Sequence, residues 1–288
     1  HILGLPSDYW KCVYLQLSYA ANILNDGYYR WREGDLLEFE LEDGSLVRPD
    51  PWQNAATVAL QYFFSQILNV SEYQNAIGPD GFSKTYQDYF GDPWSIEAHI
   101  PGSLTQPEMQ LPYEIDKGGW AYTGGPHTAW GSMEPWAALD FAPPSGQTGC
   151  FPSSVPTAAV ADGLVVRDGE GILVLDLDGD GDERTGWVVF YLHIAEEGRV
   201  AVRTAVKQGD PLGFPSCEGG RSTGTHIHIA RKYNGEWIIA DGVIPFTLSG
   251  WQPLRGNNPY EGWLVKGDQR ILANTNPDNR STIPNENE

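Results

Sequence analysis

The stretch "STGTHIHIA", residues 222–230, is the one on which the reading of this chain turns. From His226 onward histidine alternates with isoleucine, the period of a half-buried β-strand. Side chains i and i+2 leave the same face of a strand, so His226 and His228 are expected to look into one space. Such a pair raises a metal site. Either both rings are ligands, or one binds the metal and the other handles protons.

Around this stretch lie other short β-rich runs separated by Gly, Pro and Asp turns: "AAVADGLVV" (158–166), "GILVLDLD" (171–178), "GWVVFYLHI" (186–194) and "EWIIADGVI" (236–244). They make the region after about residue 112 all-β. The first hundred residues read differently. "SDYWKCVYLQLSYAANIL" (7–24) places Trp10, Val13, Tyr14, Leu17, Ala21 and Leu24 at helical spacing, with Ser7 or Asp8 as its cap and Gly27 after its end. "LLEFELEDGSLV" (36–47) reads as a hairpin turning at Asp43-Gly44. Two more helices are expected, "QNAATVALQYFFSQIL" (53–68), with Ala56, Leu60, Phe63 and Ile67 on one side, and "SKTYQDYF" (83–90). The expected fold class is α+β. A mainly helical region spans 1–100, a proline-broken linker 101–112, an antiparallel β domain 113–273 and a loosely ordered polar tail 274–288.

The 288 residues are 41% hydrophobic, with 33 Gly and 21 Pro, as in a folded, turn-rich protein. The formal charge of −20 argues against nucleic acid and against docking on anionic membranes. No apolar run approaches the ~20 residues of a membrane span. The chain opens on His1 and not on Met, as a processed or trimmed chain does. Of the 3 cysteines, Cys12 is expected as a buried thiol on an apolar helix face. Cys150 and Cys217 flank the segments of interest, and either a bridge or two free thiols fits them. A bridge would suit an exported protein.

Four of the 6 histidines fall in the β region: His127, His193, His226 and His228. The runs "GGPHTAWGSMEPWAALDFAPP", "AAVADGLVV", "VVFYLHI" and "VKQGDPLGFPSCEGGRSTGTHIHIA" follow in order. Over about residues 120–232 this set resembles the lysostaphin-type, LasA-like zinc metallopeptidases. The resemblance implies His127, Asp140 and His228 as ligands of one zinc ion, with His193 and His226 as catalytic residues off the metal. Three N and O ligands leave one tetrahedral position open, as catalytic zinc requires. His226 would accept the water's proton, and His193 would donate to the oxyanion. The activity implied is hydrolysis of peptide bonds in bacterial cell-wall peptidoglycan, either Gly–Gly bridges or D-amino-acid stem bonds, by a secreted or cell-envelope enzyme.

Two departures accompany the resemblance. The commoner family spacing is His-x-x-x-Asp, whereas Asp140 follows His127 by thirteen positions, and Glu134 inside that spacer is the alternative ligand. Thr225 stands where the family often has proline. The spacer also carries Trp130 and Trp136, which either wall the substrate groove or pack the loop. Tyr191, two residues before His193, is expected to share its face and line the site. "DLDGDGDE" (176–183) offers Asp176, Asp178, Asp180 and Asp182 as a candidate calcium loop, but Trp187 at the twelfth position cannot supply the closing carboxylate, and an acidic hairpin turn is favoured. "GRSTG" (220–224) matches a serine-hydrolase elbow only formally, since no helix pattern follows it. The helical region reads as a pro-segment, a targeting module or a lysozyme-like hydrolase with acids such as Glu33 and Glu38. The rival functions are a non-catalytic wall-binding or amidase-activating module of the same fold, and a calcium-stabilised adhesin-like β-protein.

Overall fold

A computed structural model describes residues 3, 11–51, 53–93, 100–114, 119–131, 134–145 and 147–283. Ser7, Asp8 and Trp10, expected at the start of the first helix, lie outside the described residues. The chain divides into two compact units, one of residues 1–98 with 132–135, the other of 99–131 and 136–288.

The first unit holds helices α1 (Val13–Glu33), α2 (Ala55–Ile67), α3 (Val70–Ile77) and α4 (Phe82–Phe90), with the two-residue strands β1 (Phe39–Glu40) and β2 (Leu46–Val47) paired around Asp43-Gly44. Helix α1 does not stop at Gly27. That glycine is buried against α2, where an added Cβ would come within 2.9 Å of Tyr62 Cδ1 and 3.1 Å of Ala59 Cα. It serves close helix packing, and the inward face is the one that carries it: Gln16, Ile23, Asp26 and Gly27. The expected stripe of Val13, Tyr14 and Leu17 is exposed, and so are Ala21 and Cys12, whose thiol was expected inside. On α2, Phe63 is buried as expected while Ala56 is exposed, and Val58 and Ala59 complete the inward face. Helix α3 was not anticipated, although "NVSE" carries its capping box: Asn69 accepts from the Glu72 N–H, and Glu72 accepts from the Asn69 N–H. Leu36, Phe39, Leu41, Val58 and Tyr73 form this unit's core. Glu38 is ion-paired with Arg48 at 2.8 Å.

The second unit is built on strands β3 (Ala121–Thr128), β4 (Trp136–Ala142), β5 (Thr157–Ala158), β6 (Gly163–Gly169), β7 (Ile172–Asp176), β8 (Trp187–Leu192), β9 (Ala205–Val206), β10 (Pro211–Gly213), β11 (Ile227–Tyr233), β12 (Glu236–Trp237), β13 (Gln252–Arg255), β14 (Gly262–Lys266) and β15 (Gln269–Leu272). The main sheet is antiparallel, in the order β3-β4-β11-β8-β7-β6-β9, with β12 beside β11. Alternation along its central strands sorts residues onto two faces. Leu139, Phe141, Leu173, Leu175, Val189, Tyr191, Ile227 and Ile229 enter the large core with Trp120, Phe246, Trp251 and Leu264. Ala138, Ile172, Val174, Phe190, Leu192 and Ala230 occupy the other face.

Two segments expected as loose are integral to this unit. Within the proline-broken run, Met109 and Leu111 are buried core residues, and the Gln110 N–H donates to Val160 O at 2.8 Å. In the polar tail, Ser281 and Ile283 are fully buried, and the Ile283 N–H donates to Trp120 O at 2.9 Å. Residues 284–288 of that tail lie outside the described residues. The β13-β14-β15 meander was not anticipated, and of "EWIIADGVI" only Glu236 and Trp237 form a strand.

Candidate metal centre

Strand pairing sets the first contact. His228 on β11 stands directly opposite Asp140 on β4, and the next strand puts Leu192 opposite His228. Directly paired residues of an antiparallel sheet share a face, so Asp140 and His228 rise together from the face away from the large core. On β3, Gly124 pairs with Asp140, and irregular register carries His127 back over it. His127 Nε2 is 3.3 Å and His228 Nδ1 3.1 Å from Asp140 Oδ1, and the two ring nitrogens are 3.0 Å apart. All three residues are buried.

Backbone carbonyls fix which nitrogen of each ring carries a proton. A carbonyl only accepts, so the nitrogen facing it is the N–H. His127 donates from Nδ1 to Gly125 O at 2.7 Å, and His228 from Nε2 to Ala129 O at 3.0 Å. The nitrogens left bare are His127 Nε2 and His228 Nδ1, which face each other and the Asp140 carboxylate. Three acceptors turned on one point repel one another unless a cation lies among them. A tetrahedral ion with ligands at 2.0–2.1 Å separates its donors by roughly 3.3 Å, close to the spacings seen. Donor chemistry and spacing together fit a metal ion held by His127, Asp140 and His228, the set that the resemblance implied. Glu134, the alternative ligand, is not in this group.

The remaining two histidines meet at the same place. His226 precedes β11 and directs Nε2 to 3.7 Å from Asp140 Oδ1, while its Nδ1 donates to Gly224 O at 2.8 Å. Both histidines of the opening stretch therefore look into one space. His193 follows β8, with its ring centroid 4.5 Å from that of His226, and donates from Nδ1 to Glu218 O at 2.7 Å. Burial, then the adjacent His226 ring, draws His193 down to about 4, so it is neutral near pH 7. Its single proton is spent on Glu218, and Nε2 is an acceptor. This differs from the oxyanion donor expected of it. Burial also lowers His228.

The flanking residues divide. Tyr191 does not line the site: it is in the large core on the opposite face, its hydroxyl accepting from the Val160 N–H at 2.9 Å. The expectation failed because His193 has φ 70, which breaks strand alternation between residues 191 and 193. Trp130 is 55% exposed and meets Phe190 edge-on, 5.6 Å between ring centroids, on the face that carries His228. Trp136 lies on β4 four residues before Asp140, with the Arg255 guanidinium 5.3 Å above its ring. Tyr260 was missed. It stacks on His127 at 4.0 Å, carried there by the loop between β13 and β14, and nothing in "NNPYEGW" marks it beyond an aromatic in a turn.

The calcium reading gains no support. Asp176 is buried, and its carboxylate accepts from the N–H groups of Asp178, Gly179 and Gly181. Asp182 is turned to Arg184, 2.6 Å away. The acidic run is a hairpin turn that satisfies itself. Cys150 and Cys217 are joined by a disulfide, Cα–Cα 5.9 Å.

Residues 6–104 match the family described as LasA, N-terminal domain. Curated relatives from two strains of Pseudomonas aeruginosa, each named Protease LasA, are 26% identical over 210 residues, covering 66% of this chain and 47% of the relative. The chain thus spans about half the length of the curated relatives it matches. Among solved structures, "A Novel M23 Metalloprotease Pseudoalterin from Deep-sea" is 23% identical, covering 60% of this chain and 96% of that one, with a TM-score of 0.47. The catalytic domain of lysostaphin from Staphylococcus simulans is 23% identical over 44% of this chain and 91% of that one, with a TM-score of 0.31. The N-terminal region is thus similar to the LasA N-terminal domain, and the ordered motifs at 120–232 resemble those of the lysostaphin-type peptidases. Among the described residues no helix is long and apolar enough to cross a membrane.

Proposed function

We propose that this protein is a zinc-dependent endopeptidase that hydrolyses peptide bonds of bacterial peptidoglycan, with Gly–Gly bridges and D-amino-acid stem bonds as the candidate substrates. One observation carries the reading: bare donors of His127, Asp140 and His228 converge within 3.0–3.3 Å of one another, beside the bare Nε2 atoms of two further histidines.

His127, Asp140 and His228 would hold the zinc. When bound, zinc polarises the scissile carbonyl and brings the pKa of the attacking water toward ~7. The proton work belongs to the chain. His226, its Nδ1–H tied to Gly224, takes a proton from water on Nε2 as the water oxygen bonds to the carbonyl carbon. It returns that proton to the amine nitrogen as the C–N bond breaks. His193, neutral with Nε2 bare, holds the water or a substrate N–H as an acceptor. Trp130, exposed above Phe190, offers a wall for the substrate, with Trp136 farther along the same face of β4. The Cys150–Cys217 bridge suits secretion into an oxidising environment. On this reading the β unit carries the catalysis and the helical unit does not.

The test is metal content and turnover of purified peptidoglycan for the wild type and His226→Ala. The wild type is expected to bind about one zinc and release new amino termini. His226→Ala is expected to keep the zinc and lose turnover by at least about 10²-fold. Loss of zinc in His226→Ala would make it a ligand and overturn the division of roles. A wild type that binds no zinc would remove the peptidase reading and favour a wall-binding module.

A further inference from the structure

The two histidines off the metal are held by a different part of the molecule from the three ligands. The ligands sit on β3, β4 and β11, and their outer N–H groups go to Gly125 O and Ala129 O. His193 and His226 both hang on the segment 216–218. The Ser216 N–H and hydroxyl donate to His193 O at 2.6 and 3.0 Å, and the His226 N–H donates to Ser216 O at 3.4 Å. Glu218 O takes the Nδ1–H of His193. Cys217 lies in the middle of that segment and is bridged to Cys150.

Thr225 holds the far end of the bridge. Thr225, 4% exposed, makes three hydrogen bonds across Cys150. Its N–H donates to Gly149 O at 3.0 Å, its hydroxyl donates to Phe151 O at 2.7 Å, and the same hydroxyl accepts from the Phe151 N–H at 2.8 Å. Thr225 also lies between Gly224, whose carbonyl takes the His226 Nδ1–H, and His226 itself. The links close a ring: Thr225 to 149–151, through the disulfide to 216–218, and from there to both histidines. A proline at 225, where the resemblance leads one to expect it, has neither N–H nor hydroxyl and would make none of the three bonds.

We infer that Thr225 and the Cys150–Cys217 bridge are positioning elements that set the rings of His193 and His226 without acting on the metal ligands. The inference rests on the proposed peptidase function for its kinetic readout only. Near-attack geometry is steep in distance, and a misplacement of about 1 Å costs on the order of a hundredfold in rate. Loss of the hydroxyl clamp alone is expected to cost about tenfold.

The experiment compares Thr225→Val, Thr225→Ser and the double variant Cys150→Ala/Cys217→Ala with the wild type, all as full chains loaded with zinc. Zinc affinity, kcat and KM on a glycine-bridged peptide, and the side-chain ¹⁵N spectrum of the histidines are measured. Thr225→Val and the double variant are expected to lower kcat about tenfold, leave KM and zinc affinity within twofold, and turn the single ring tautomers of His193 and His226 into mixtures. Thr225→Ser, which keeps the N–H and hydroxyl, is expected to match the wild type. The inference is overturned if Thr225→Val and the double variant keep wild-type kcat and ring spectra. It is equally overturned if zinc affinity falls in parallel with kcat, which a merely structural role would produce. Should Thr225→Val not fold, the double variant decides by the same criteria. If the wild type cleaves nothing, the peptidase reading fails by itself, and the ring spectra still decide the clamp.

Discussion

Gly124→Ala should strip the metal centre of its carboxylate while leaving the sheet intact. Gly124 pairs with Asp140 across β3 and β4, and a Cβ built there lies 2.5 Å from Asp140 Oδ2, 2.9 Å from its Cγ and 3.0 Å from its Cβ. Gly124 is not among the left-handed glycines, so alanine meets no backbone penalty and the contact is the whole effect. To reach ordinary contact at 3.4 Å, Oδ2 must retreat by about 0.9 Å and Cγ, which carries the Oδ1 that faces the histidines, by about 0.5 Å. Metal bonds tolerate about 0.2 Å, so the displaced carboxylate no longer reaches an ion held by His127 and His228. The expected loss in zinc affinity exceeds the roughly 10–100-fold that follows when only a partner behind a ligand is removed, with about 1–3 kcal/mol of overpacking against the fold. The assay is a zinc competition titration with a chromophoric chelator, with circular dichroism to verify folding. Gly102→Ala serves as control, since a Cβ at that position meets nothing within 4 Å. A folded Gly124→Ala protein that binds zinc within twofold of the wild type would refute the reasoning.

Further outcomes are open to measurement. His228→Ala removes a donor and should abolish stoichiometric zinc, whereas His193→Ala should retain it; metal analysis after dialysis separates the two. Tyr260→Ala removes the ring stacked on His127, and a pair of this kind contributes about 0.5–1.5 kcal/mol, so zinc affinity should fall about two- to tenfold in the same titration. Ile283→Ala should cost about 2–4 kcal/mol in a urea melt, the range for a buried aliphatic deletion, because this residue is 1% exposed in the core. An unchanged midpoint would mean that the end of the chain is not packed. Trp130→Ala is expected to raise KM more than it lowers kcat in peptide cleavage, as loss of uniform binding does.

Much of the site was legible because its spacing is local. His228 lies on β11 and His226 is the bridge residue just before it, and the period of two is enough to send both rings into one space. The family resemblance carried by the ordered motifs around them then implied His127 and Asp140, which lie far away in the chain. The β character of the second half was legible from its alternating runs, and α2 and α4 from helical spacing.

Tertiary structure decided what no local pattern encodes. The face that α1 buries follows Gly27, because its missing Cβ lets α2 approach, and the more apolar stripe stays outside. Tyr191 went to the core because the left-handed turn at His193 broke the alternation that would have brought it to the site. Tyr260 reaches His127 only through the folding of the meander, and the polar tail owes its place to Ile283 filling the core beside Trp120. The chemistry of the rings was decided in the same way. The sequence names four histidines, but which nitrogen of each is bare depends on carbonyls of Gly125, Ala129, Glu218 and Gly224, and backbone carbonyls acquire their directions only when the chain folds.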